Sequence, residues 1–145
     1  PLLVTLPARR KVFTKEFMQK FNDKHKEAFG EEEAPDIGFP DTGSGVFSKE
    51  LSYKDWYIFN NAQRAHMNTV ESYPIHVALI AISGLNEKMS LATLILAAMV
   101  LLGRILYVIS YGMCGPNFRI LGVLLIVPPM LGILGMSFYT ASQFM

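Results

Sequence analysis

Cysteine is nearly absent from this chain of 145 residues, and the single thiol, Cys114, excludes an internal disulfide and leaves no second thiolate for a metal cluster. His25, His66 and His76 lack the spacing of a zinc site. The glycines at 103, 112, 115, 122, 132 and 135 form no phosphate loop and read as helix-packing positions. Charge of one sign is also missing, since 13 lysines and arginines meet 12 acids, and within residues 14–52 basic residues do not outnumber acids. No patch for nucleic acid or anionic lipid is therefore expected, and there is neither an internal repeat nor a low-complexity tract.

Apolar residues are abundant: they make up 51% of the chain and concentrate after position 73. Residues 90–111 and 118–144 are each long enough for the roughly 20 residues that cross a bilayer. The apolar run 74–85 is too short alone, but it spans if the helix begins near Trp56 and turns its polar residues toward protein. Trp56 and Tyr57 are then expected at the membrane interface. Pro1 is no initiator, so the short apolar run 1–7 reads as the stub of an upstream helix, followed by the basic flank ARRK. The divisions expected are residues 1–13 as the end of a first membrane helix, 14–55 as an extramembrane helix and loop, and 56–145 as three transmembrane helices.

Orientation follows from the basic residues, because ARRK and the GPNFR link lie at one end and LNEK at the other. The first end is expected to face the cytoplasm or its equivalent. Residues 15–33 read as one surface helix with Phe17, Phe21 and Phe29 on one side, and 34–47 as loop. The segment reads as a solvated linker, or else as a docking segment for a neighbouring protein, because long structureless loops are uncommon without a function. Pro128 and Pro129 predict a kink in the last span.

Two polar stripes carry the chemistry. In FNNAQRAHMNTVESYP, Arg64, Asn68 and Glu71 stand four and three residues apart on one helical face, with His66 nearby. In GRILYVISYG, Arg104, Tyr107 and Tyr111 repeat that spacing at the same membrane depth. Ionisable groups at the edge of hydrocarbon either hold one another or hold a polar ligand, so the stripes suit a small zwitterion or anion, or else Arg104 and Glu71 neutralise each other.

These residues resemble the MAPEG family, membrane proteins of eicosanoid and glutathione metabolism. The FN, QRAH, N, T, E and YP spacing is most similar to that of the type 3 microsomal glutathione transferase subgroup. The resemblance implies an all-α membrane protein, a four-helix transmembrane bundle whose first helix is largely missing here, with an extended extramembrane loop. It further implies a homotrimer holding glutathione as cosubstrate between subunits. The implied glutathione ligands are Arg9, Arg64, His66, Asn68, Glu71, Arg104, Tyr107 and Tyr111, with Arg10 at the site edge and Arg119 as the catalytic residue that stabilises the thiolate. Ser72 stands where the leukotriene C synthase branch has tyrosine, which argues against that activity, and residues 14–52 are longer than the corresponding link in relatives.

The implied activity is addition of glutathione thiolate to a lipophilic electrophile arriving through membrane lipid, or reduction of a lipid hydroperoxide. The alternative is a non-catalytic, structural or lipid-binding subunit that meets foreign subunits through residues 14–52. The family's usual address is the endoplasmic reticulum, with a mitochondrial membrane as the other expectation.

Overall fold

In the computed structural model, which describes residues 2–30, 32–36 and 41–144, six α-helices and two short 3-10 turns follow one another. No strand is present among the described residues. Positions 1, 31, 37–40 and 145 lie outside them, and with them parts of the expected stub, surface helix and loop. The helices are α1 (Leu2–Val12), α2 (Lys15–Gln19), α3 (Asn22–Phe29), α4 (Tyr53–Gly84), α5 (Ser90–Cys114) and α6 (Ile120–Ser142).

Two helices are long and apolar enough to cross a membrane: α5, and the stretch Pro116–Ser142 that contains α6. Their outer faces leave Leu94, Leu101, Leu102, Leu121, Leu124 and Leu131 exposed, which in water would be untenable over so large an area. α4, with 32 residues, has the length to span, yet its first half is polar. It starts three residues before the expected Trp56, because the Ser52 hydroxyl caps it by accepting from Asp55 N at 3.1 Å. α1 covers only 11 described residues. Pro128 and Pro129 sit within the uninterrupted α6.

Glycine sets how closely α5 and α6 approach. A Cβ on Gly122 would stand 2.5–2.6 Å from Tyr107 Cβ, Cα and N, and one on Gly103 would stand 2.9 Å from Ile126 and Leu125 side-chain atoms. Gly112 admits Val4 of α1 in the same way, whereas Gly135 faces open space. The core between these helices holds Ala65, Val100, Tyr107, Val108, Tyr111, Ile126 and Ile133. Buried hydroxyls cross-link the bundle: Thr5 Oγ1 donates to Ala62 O of α4, and Ser137 Oγ of α6 donates to Leu79 O.

The extramembrane segment is packed onto the bundle, contrary to the solvated-linker reading. The expected single helix breaks at Lys20–Phe21 into α2 and α3, which turns Phe21 inward while Phe29 stays 65% exposed. Val12, Phe13, Met18 and the fully buried Phe59 form a second core, joined by Phe17, Phe47 and Leu51. Edge-on ring contacts run from Phe59 to Phe13 at 5.1 Å and from Phe21 to Phe47 at 4.6 Å. The Lys15–Asp36 ion pair, at 2.7 Å, is exposed and adds little.

Candidate functional site

α4 projects Asn60, Arg64, Met67, Asn68 and Glu71 along one face, and these line a cavity of about 340 Å³ together with Gln63 and with Thr42, Gly43 and Ser44 of the extramembrane segment. Arg64, Asn68 and Glu71 are thus brought together. Both Arg64 and Glu71 are exposed to the cavity, and Glu71 makes no ion pair among the described residues. Asn60, one turn before Arg64, continues the stripe and is accessible to the same spacing argument. Gln63, Thr42 and Ser44 are not, because their place depends on how the loop lies.

That loop is fixed by its backbone. Asp41 accepts from Gly43 N and Ser48 N, each at 2.8 Å, and from the Ser48 hydroxyl. Burial raises the Asp41 pKa, but the Ser48 hydroxyl and the amides of Gly43, Ser48 and Gly45 outweigh it and leave the carboxyl below its ordinary value. Trp56 Nε1 donates to Gly43 O at 2.8 Å, so the indole tethers the loop to α4. Gly43 has φ +107°, a conformation that favours glycine, and it is buried against Phe59 and Asn60.

The two stripes meet at one hydrogen bond, Asn68 Nδ2 donating to Tyr107 Oη at 2.6 Å. Tyr107 and Tyr111 stack edge-on at 5.6 Å, and the Arg119 guanidinium lies 5.8 Å from the centre of the Tyr111 ring. Arg119 and Tyr107 share a second opening of about 460 Å³ with Pro116, Asn117, Ile120 and Val123. Gly115, at φ +94°, ends α5 and turns the chain so that the Pro116–Arg119 turn carries Arg119 back toward the tyrosines.

Three expected ligands stand elsewhere. Arg104 Nη2 lies 3.4 Å from His76 Nε2, deeper in the bundle, so it meets neither Arg64 nor the Glu71 carboxylate expected as its neutralising partner. Arg9 Nη2 donates to Asp41 O at 3.3 Å, and the guanidinium covers the Phe59 ring. His66 projects from another face of α4, with Nδ1 buried and unpartnered. Arg10 is exposed. Among the described residues no group of three His, Cys, Asp or Glu could hold a metal.

A larger crevice of about 510 Å³ lies at the basic end, between Val4 and Lys11 of α1, Tyr57 and Ile58 of α4, and Met113 and Cys114. It is mostly apolar and holds none of the charged face, so it suits a zwitterion less well than the smaller cavity. It also shows that the basic end of α1, the start of α4 and the end of α5 gather at one end of the bundle.

No solved structure matches the chain. Residues 11–139, which contain every site residue named above except Arg9 and Arg10, match the sequence pattern of the MAPEG family. With most of the chain matched and two helices fit to cross a bilayer, this is a membrane protein belonging to the MAPEG family, whose members serve eicosanoid and glutathione metabolism.

Proposed function

We propose that this chain is a membrane glutathione transferase or peroxidase akin to the type 3 microsomal subgroup. The observation that carries the reading is the cavity in which the Arg64 guanidinium and the Glu71 carboxylate both stand without an ion-pair partner among the described residues. Opposite charges held apart on one face complement a zwitterion: Arg64 takes a carboxylate through paired N–H bonds, and Glu71 takes an ammonium. Asn68 already donates to Tyr107 Oη, which leaves the phenol proton available to the ligand.

A free thiol has a pKa of about 8.5 and is mostly protonated at neutral pH, while only the thiolate attacks well. The Arg119 cation lowers that pKa, and the proton leaves to water. The sulfur pair then bonds to the electrophilic carbon while the displaced pair leaves on the departing group or protonates on an opened epoxide oxygen. On a hydroperoxide the thiolate takes the terminal oxygen, the O–O bond breaks to give an alcohol, and a second glutathione converts the sulfenic acid to disulfide and water. In the single chain Arg9, His66, Arg104, Tyr107, Tyr111 and Arg119 do not line this cavity, and the proposal brings them to the ligand across a subunit boundary in a homotrimer. Endoplasmic reticulum is the proposed membrane.

The test is glutathione conjugation and hydroperoxide reduction by the purified protein in lipid nanodiscs. Turnover is expected, with Arg119→Ala lowering kcat and Arg64→Ala raising KM. Absence of both turnover and glutathione binding would leave the second reading, a non-catalytic subunit. That reading is favoured by one feature, the exposed Phe29 and Val46 on the packed extramembrane segment.

A further inference from the structure

The crevice of about 510 Å³ at the basic end takes no part in the proposed reaction, and it shares no residue with the charged cavity. Val4 packs into Gly112 and Thr5 bonds Ala62, so α5 runs out at Cys114 near the level of Asn61, while α1 continues for about 10 Å to Lys11 at 1.5 Å per residue. The gap this leaves has Val4, Pro7 and Met113 as an apolar wall, the exposed Cys114 thiol at one end and Lys11 at the other. Asn61 lines it too. The residue is only 6% exposed, and its carboxamide has no hydrogen-bond partner among the described residues. Its polar atoms are nevertheless not sealed off, so a ligand lying in the crevice can reach them. A buried amide with two N–H donors and no acceptor calls for a carbonyl from outside the chain.

We infer that Cys114 is a site of S-acylation, with a long-chain acyl-coenzyme A as the acyl donor. The alkyl chain lies against Val4 and Met113, the thioester carbonyl accepts from Asn61 Nδ2, and the anionic remainder of the donor faces Lys11. Cys114 gives its proton to water, and its sulfur bonds to the carbonyl carbon. The bond from that carbon to the coenzyme A sulfur breaks, and coenzyme A leaves as a thiolate that takes up a proton. Asn61 stabilises the carbonyl oxygen as it gains negative charge. A thiol at the end of a membrane helix is where such acyl groups are carried. This site stands or falls independently of glutathione binding.

The experiment incubates the full chain in nanodiscs with palmitoyl-coenzyme A and reads intact mass and peptide maps over time. One acyl group per chain is expected, on Cys114, released by neutral hydroxylamine and absent from Cys114→Ser. Asn61→Leu keeps the volume and removes the donor, so it is expected to acylate about tenfold more slowly or worse. Its thermal stability should not fall, because no hydrogen bond within the chain is lost. Ala8→Trp fills the crevice and is expected to slow acylation to a similar degree. Each rate is taken relative to alkylation of Cys114 by iodoacetamide in the same variant, which separates loss of the acyl site from burial of the thiol. Absence of a thioester on the wild-type protein, or a relative rate unchanged in either variant, overturns the inference. So does an adduct released by reductant and not by hydroxylamine, which would be a disulfide.

Discussion

Asn68 and Tyr107 are the point at which two helices become one site, and their hydrogen bond sets what substitution there does. Tyr107→Phe removes the acceptor and leaves the Asn68 amide without its partner, a loss of about 0.5–1.5 kcal/mol. Thermal unfolding in detergent should show that modest fall, and glutathione KM should rise severalfold. Arg64 is exposed to the cavity and packs little, so Arg64→Ala should leave unfolding almost unchanged while weakening glutathione by about tenfold or more, as loss of a charge-assisted bond implies. The grouping of Arg64, Asn68 and Glu71 was legible from spacing alone, because a helical face is a local property. The partners of Arg104 and Trp56 were not. Arg104 reaches His76 and Trp56 reaches Gly43 O, and both contacts depend on which long-range neighbour a flexible or broad side chain meets first.

At the scale of elements, the α5–α6 contact and the loop 41–51 hold the site residues in place. Gly122→Ala would drive a methyl into the Tyr107 backbone, so helix separation is the only relief, at about 1–3 kcal/mol. Gly135→Ala meets nothing within 4 Å and should be nearly neutral, which makes the pair a controlled comparison by thermal unfolding. The loop depends on Asp41 remaining ionised. Its folded-state pKa is lowered, so its contribution is complete above the ordinary carboxyl value of about 3.9 and fades as the pH falls through the lower folded value. Protection of the Gly43 and Ser48 amides against hydrogen exchange, taken relative to their intrinsic rates at each pH, should persist at neutral pH and be lost only below about pH 4. Asp41→Ala should remove that protection at every pH. Glycine as packing residue was readable at 103, 112 and 122, but the break between α2 and α3 was not, since burying Phe21 against Phe47 overrides a continuous helical pattern.

For the whole molecule, the apolar run lengths announced the membrane character, and the polar first half of α4 is why its own crossing stayed less evident than those of α5 and α6. The long extramembrane segment was recognisable as an insertion but not as a cavity wall, because its seat on Phe59 and Trp56 is a tertiary fact. Exposed leucines on α5 and α6 need lipid or neighbouring subunits to cover them. The proposed function requires that the charged cavity on α4 receive glutathione. Calorimetric titration of the nanodisc-embedded protein with glutathione, alongside Arg64→Ala, tests it most directly. The prediction is saturable binding by the wild-type protein and at least a tenfold loss in the variant. Absence of binding, or equal binding by the two proteins, would contradict it.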